Sequence, residues 1–135
     1  HGKALKYASA ELQRDREVVL VVVTQRGLAL EYASVALKGD REVVLPAIAQ
    51  NHNALKYASR RLMGDKQVIL AAVAQNSSDA LEYASAELKG DREVVVAAQA
   101  LQWASTELKA DRKVVLAVVA QHGSSLYYAS AELQG

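Results

Sequence analysis

One short phrase recurs six times along this chain of 135 residues at an almost constant interval. Its leucine falls at positions 5, 30, 55, 81, 101 and 126, so the steps are 25, 25, 26, 20 and 25 residues. A second phrase, DREVVL or a variant of it, follows each of the first five. A fixed period of this kind is the mark of a tandem array of supersecondary units. The units begin near Ala4, Ala29, Ala54, Ala80, Ala100 and Ser125, and the last is incomplete.

The first phrase predicts an amphipathic helix, here called helix A. Leu5, Ala8, Ser9 and Leu12 are spaced as one helical stripe. We expect this helix to end in the left-handed conformation that suits glycine at Gly39, Gly64, Gly90 and Gly135. Aspartate follows at once in every complete unit, where its side chain can accept hydrogen bonds from the free amides of a new first turn. The sequence therefore predicts that a second helix, helix B, is capped at Asp15, Asp40, Asp65, Asp91 and Asp111.

Helix B is apolar around much of its circumference, as the run Val18 to Val23 shows. Its β-branched residues do not alternate with polar ones, which favours a helix over a strand. Because a helix of about ten residues is marginal alone, helix B must be covered by the units before and after it. We therefore predict an all-α solenoid of helix-turn-helix repeats with helix B as its inner layer. Further repeats or a partner are expected to cover the apolar end beyond Gly135.

Two places break the pattern. Pro46 lies beyond the first turn of its helix B, where it removes a hydrogen bond and is expected to kink or shorten the helix. The fourth unit is five residues short, and the missing residues would fall between Ala98 and Gln99. Three explanations remain open: one continuous helix over 92–109, a helix B cut to two turns, or residues omitted from the sequence.

The repeated pattern AL-x-YAS-x-ELK-x-D, alternating with REVVLAAVAQNG, resembles the family of domains of unknown function numbered forty-one sixteen. That family consists of short helical repeats in long tandem arrays, notably in algae and other protists. The resemblance covers essentially the whole chain and implies the repeat architecture. It implies no catalytic residue, because the family has no established activity.

Composition narrows the classes of function. Sixteen basic and fifteen acidic residues leave a net charge of +1, which gives no attraction to nucleic acid. There is no cysteine, and no apolar run is long enough to cross a bilayer.

His1, His52 and His122 lie in turns of different units and are not expected to share a metal ion. The serines of the leucine stripe have no histidine beside them, so we interpret them as small residues that let helices approach closely and that bond back to the preceding turn. We predict neither an enzyme nor a cofactor.

A row of aromatic residues offers the best candidate binding surface. One ring per unit lies roughly opposite the leucine stripe, at Tyr7, Tyr32, Tyr57, Tyr83, Trp103 and Tyr128. The rings either staple neighbouring units together or form a ladder that stacks a peptide, a small ligand or nucleic-acid bases. The charge beside each ring differs between units, which is typical of a position that sets partner specificity or of a solvated face. These charged positions are Lys6, Glu31, Lys56 and Glu82.

The sequence thus favours a non-catalytic module that binds a protein partner or acts as a scaffold. Resemblance to algal repeats extends this to a subunit of an organellar or photosynthetic assembly, including one docked on a membrane complex. Binding of single-stranded nucleic acid or a small ligand through the aromatic ladder is the alternative. An intracellular or organellar location is favoured over secretion.

Overall fold

The computed structural model describes residues 2–75, 78–121, 123–130 and 133, and every regular element within them is a helix. In each of the first five units a 3₁₀ helix, a short α-helix and a longer α-helix follow one another. The 3₁₀ helices are Gly2–Ala4, Gly27–Tyr32, His52–Tyr57, Ser78–Tyr83, Leu101–Trp103 and, in the sixth unit, Gly123–Tyr128. The short α-helices are Ala10–Arg14, Val35–Lys38, Arg60–Met63, Ala86–Lys89 and Thr106–Lys109. The long α-helices are Arg16–Gln25, Arg41–Gln50, Lys66–Val73, Arg92–Ala98 and Arg112–Val119. The all-α array of repeated helical units is confirmed.

Helix A is not continuous, which corrects the sequence prediction. It divides at its serine into the 3₁₀ helix and the short α-helix. Ser34 is extended, with φ −60° and ψ 158°, and its hydroxyl oxygen accepts from the backbone N–H of Leu37 as an N-cap. Its own N–H donates to the carbonyl of Gln13 in the preceding unit at 2.9 Å, whereas a continuous helix would direct it to Leu30. The serines therefore start a helix, and the predicted bond back to the preceding turn is wrong.

The long helices form the inner layer of the array. Val43 and Val68 are fully buried and Val115 is 4% exposed. Each long helix contacts the next along the array and also packs against 3₁₀ helices. One side of the layer stays open, since Val21 is 59% exposed and Leu116 55% exposed. The long helices are thus packed against neighbouring elements on several sides, as predicted, while one side is exposed to solvent.

The predicted left-handed glycine caps are wrong. Gly39 has φ −98° and ψ 2°, and Gly64 and Gly90 are within a few degrees of it. Ala110 holds the same repeat position with φ −98° and ψ −5°. The chain turns there through bonds to the carbonyl three residues back, such as Gly39 N–H to Ala36 at 3.2 Å, and any residue can adopt that conformation. The fourth predicted glycine, at position 135, lies outside the described residues.

Pro46 lies inside the second long helix, which still runs over ten residues. The predicted shortening is therefore wrong, whereas the alternative, a kink, stays a prediction. Proline withholds the N–H that would bond to the carbonyl of Glu42. Because Glu42 is exposed, that carbonyl can bond to water instead.

In the short fourth unit the long helix ends after seven residues, at Ala98. Gln99 then adopts a left-handed conformation with φ 53°, and the 3₁₀ helix begins at Leu101. The described chain therefore has a helix B of about two turns and not one continuous helix over 92–109, whereas the omission of residues between Ala98 and Gln99 stays a prediction. The reversal between the two layers is kept, which a single helix over 92–109 would have removed.

Candidate functional site

A ladder of backbone hydrogen bonds joins the units and sets the spacing of their side chains. In the second to sixth units the N–H of the repeated serine donates to a carbonyl in the last turn of the preceding short helix, a group that has no partner within its own helix. The bonds are Ser34 to Gln13 at 2.9 Å, Ser59 to Lys38 at 2.9 Å, Ser85 to Met63 at 3.1 Å, Ser105 to Lys89 at 2.9 Å and Ser130 to Lys109 at 2.9 Å. Equivalent residues of successive units are thereby held in rows.

A second ladder joins the capping aspartates. The basic residue after each of the first four Asp caps forms an ion pair with the cap of the next unit. The pairs are Arg16 with Asp40 at 2.9 Å, Arg41 with Asp65 at 3.6 Å, Lys66 with Asp91 at 3.0 Å and Arg92 with Asp111 at 2.6 Å. Exposed pairs contribute little one at a time. Here, however, a single carboxylate both starts a helix and binds the previous unit.

Asp40 shows this double role most fully. Its Oδ1 accepts from the backbone N–H of Glu42 at 2.9 Å, while its Oδ2 accepts from Arg16. The hydrogen bond from Arg16 is the main cause that lowers the pKa of Asp40, against the opposing effect of partial burial. The pKa of Asp91 is lowered as well. Partial burial is the largest single influence and acts to raise it, but the hydrogen bonds from Lys66 and from the Val94 amide together outweigh that effect.

These two carboxylates are expected to make the fold acid-sensitive. Their pKa values are lower in the folded chain than the ordinary value of about 3.9. The folded state therefore binds fewer protons than the unfolded state near pH 4. Their stabilisation is present above about pH 4 and is lost as the pH falls through the folded pKa values. Melting temperatures measured between pH 6 and pH 2.5 should show this decline.

Asp40→Asn provides the test of that pH dependence, because asparagine can still cap the helix but carries no charge. We expect a lower melting temperature at pH 6 and a shallower decline below pH 4. Asp15→Asn is the control, since Asp15 caps the first long helix and forms no ion pair within the described residues. Equal slopes for wild type and Asp40→Asn would contradict the assignment.

The predicted aromatic residues lie along the layer of 3₁₀ helices, one per unit. Tyr32, Tyr57 and Trp103 are half-buried and pack against the core, as expected for rings that staple units together. Tyr7, Tyr83 and Tyr128 are 79%, 37% and 42% exposed. Neither of the two alternative interpretations fits every ring. The row combines rings fixed by the core with rings that present a free face.

The rings of the first three units lie close enough to influence one another. The pKa of Tyr32 is raised, first by burial, then by the charge of and hydrogen bond to Glu31, and to a lesser degree by Tyr57 and Tyr7. The first four 3₁₀ helices also contact one another in succession, and the fifth contacts the sixth. The aromatic residues therefore form a row across the units rather than isolated side chains.

Charges line this row with alternating sign. Lys6, Glu31, Lys56 and Glu82 are all exposed. The ammonium of Lys6 lies 5.6 Å from the ring centre of Tyr7, and that of Lys56 lies 5.0 Å from the ring centre of Tyr57. At these distances a cation is attracted to the ring face. The row thus presents aromatic and charged groups together.

The candidate metal ligands and nucleophiles do not form a cluster within the described residues. Within the described part of the chain no three His, Cys, Asp or Glu residues are grouped closely enough to hold a metal ion. His52 lies at the start of the third 3₁₀ helix, while the predicted turns at positions 1 and 122 lie outside the described residues. The hydroxyls of Ser9, Ser34 and Ser59 accept hydrogen bonds from helix amides. Among residues 2–75, 78–121, 123–130 and 133, no helix has the length and hydropathy needed to cross a bilayer.

Short helical units joined by repeated ladders, with rows of equivalent side chains on their surface, define an α-solenoid repeat protein. The model of DUF4116, a domain of unknown function, matches residues 1–38, 40–89, 65–98 and 99–134. The chain therefore belongs to this family. Each matched segment is longer than the 25-residue step, so one match covers more than one structural unit. No curated protein and no solved structure matches the chain.

Sequence reasoning missed both ladders. The signal for the ionic one was present, because the five caps are each followed directly by Arg or Lys. The prediction assigns a role to the cap carboxylates alone. The serine ladder left no comparable signal, because it involves backbone atoms of residues as different as Gln13, Lys38 and Met63.

Proposed function

We propose that this chain is a non-catalytic repeat module that binds a protein partner along the aromatic row. The observation that carries the proposal is the row itself: a rigid framework holds one ring per unit, half of them exposed, beside charges that change from unit to unit. Aromatic residues are enriched in the cores of protein interfaces. Charges that vary on a constant framework provide specificity.

The partner's chemistry follows from the charges. Packed helices lie about 8 to 10 Å apart, and three residues of a chain in the extended polyproline II conformation, which places every third side chain on one face, span about 9 Å. An extended segment with an acid, a base, an acid and a base at every third position would face Lys6, Glu31, Lys56 and Glu82 in turn. Apolar residues between these charges would contact the rings.

The experiment measures binding of a synthetic peptide with that charge pattern by fluorescence anisotropy. The matched control is a peptide of the same composition with every charge reversed in sign. We expect the first peptide to bind at least about tenfold more tightly, since several exposed charge pairs act together. Equal binding of the two peptides would overturn the proposed mode of recognition.

Two variants separate binding from stability. Tyr7→Ala is expected to weaken peptide binding with little change in melting temperature, because this ring is largely exposed. Tyr57→Ala is expected to lower the melting temperature as well, because its ring packs against the core. Val35→Ala removes an exposed apolar side chain elsewhere and should change neither property. Salt-sensitive binding of a single-stranded oligonucleotide that Tyr7→Ala abolishes would instead favour nucleic acid as the ligand.

A further inference from the structure

A groove at the end of the aromatic row has properties that the row does not share. It has a volume of about 380 Å³ and lies between the first two 3₁₀ helices and the end of the second long helix. Two cations line it, Lys3 and Arg26, and neither forms an ion pair within the described residues. Among the residues that the structure describes, Glu31 is the only carboxylate that lines it, so the charges of this lining sum to +1.

Two amides add further donors to the groove. The backbone N–H of Gly27 donates to the side-chain oxygen of Gln50. The side-chain nitrogen of Gln50 is therefore available to donate to a ligand. The Asn51 side-chain oxygen accepts from the backbone N–H of Asn53 at 3.0 Å, so the side-chain nitrogen of Asn51 is also available to donate. Both residues line the groove. Its unengaged hydrogen-bonding groups are therefore mainly donors.

The remaining walls are apolar. Leu28, Ala29 and the ring of Tyr32 line the groove beside these donors. Leu28 is 40% exposed, so part of its surface is still available to a ligand. A volume near 380 Å³ is at the small end of ligand sites, which suits a ligand about the size of one or two amino acids.

We infer that this groove binds a carboxylate that carries an apolar group, with Arg26 as its principal partner. The planar guanidinium can donate two parallel hydrogen bonds to a carboxylate. Lys3 and the amides of Gln50 and Asn51 supply the other donors, and the apolar group packs on Leu28 and Tyr32. The carboxylate can come from a free small acid or from the C-terminus of a protein. The groove shares Tyr32 and Glu31 with the proposed peptide-binding row, but Lys3, Arg26, Gln50 and Asn51 belong to the groove alone. A test that depends on Arg26 therefore lets either proposal fail without the other.

The test titrates the protein with N-acetyl-phenylalanine and follows amide resonances by NMR. We expect saturable shifts centred on Gly27, Asn51 and the Gln50 side chain, with a dissociation constant of the order of 1 mM for so small a ligand. N-acetyl-phenylalanine amide has the same ring but no charge and is expected to bind at least about tenfold more weakly. Equal binding of acid and amide would overturn the inference.

Three variants assign the site. Arg26→Gln should weaken binding of the acid about tenfold or more, whereas Arg112→Gln, an exposed arginine of the fifth unit, should leave it unchanged. Glu31→Gln should tighten binding, because it removes the one opposing carboxylate. Equal effects of the two arginine variants would show non-specific attraction to charge and overturn the inference. A peptide ending in phenylalanine that binds more tightly than the capped amino acid identifies a protein C-terminus as the source, and equal affinity identifies a small acid.

Discussion

Val68→Asp is expected to unfold most of the array at room temperature. Val68 lies in the third long helix and is fully buried, in contact with a core that runs through all the units. An isolated carboxylate cannot stay charged there, and the protonated acid still lacks hydrogen-bond partners. We expect a loss of about 4 kcal/mol or more, out of a total stability that is typically about 5 to 15 kcal/mol. Circular dichroism at 222 nm and urea unfolding measure the loss.

The position of Val68 in the middle of the stack increases the effect. In a solenoid, each unit is stabilised by its interfaces with the units on both sides. Damage to the third long helix therefore weakens its contacts with both the second and the fourth.

Val21→Asp is the matched control for this prediction, because it makes the same substitution on a long helix at a position that is 59% exposed. Its effect should stay within about 0.5 kcal/mol. Similar losses for the two variants would mean that the long helices do not form a buried inner layer. The fold would then need another explanation.

The inner layer could be predicted from sequence because its cause is local. A run such as Val18 to Val23 has too few polar residues to be exposed on every side, so burial follows whatever the connections are. Capping by Asp40 is local too, since the side chain and the amide of Glu42 lie two residues apart. For such features, the residues that decide the structure lie next to one another in the chain.

The break in helix A could not be predicted in this way. Leu5, Ala8 and Leu12 fit one continuous helix, and the residues between them contain neither glycine nor proline. Ser9 is nevertheless extended, and its hydroxyl caps the next helix. In the second unit the capping hydroxyl of Ser34 acts together with its N–H, which bonds to Gln13, 21 residues earlier. The pair Arg16 and Asp40 likewise depends on how closely the units stack. The aromatic row was visible as a repeat position, whereas the donor-lined groove exists only after Lys3, Arg26 and Gln50 are brought together.

Gly27→Ala is the second substitution with a large expected effect. A β-carbon on Gly27 would lie 2.2 Å from the carbonyl oxygen of Ala47 and 3.1 Å from the backbone nitrogen of Asn51. Both are backbone atoms at the end of the second long helix, so no side-chain rotation can relieve the contact. The second 3₁₀ helix would have to move away from the core. We expect a loss of about 2 to 3 kcal/mol, the upper part of the range for overpacking, measured by urea unfolding.

Space, and not backbone conformation, makes glycine necessary at this position. No described glycine has a positive φ, and His52 occupies the same repeat position in the next unit. Gly123→Ala and Gly39→Ala are therefore informative controls. A β-carbon on Gly123 meets nothing within 4 Å, and one on Gly39 comes no closer than 3.5 Å to the oxygen of Ala36. Gly39→Ala should even stabilise the chain by about 0.4 to 1 kcal/mol, because alanine restricts the unfolded state. If Gly27→Ala proved as stable as Gly39→Ala, the close packing of the second 3₁₀ helix on the second long helix would be wrong, and with it the wall of the carboxylate groove that these elements form.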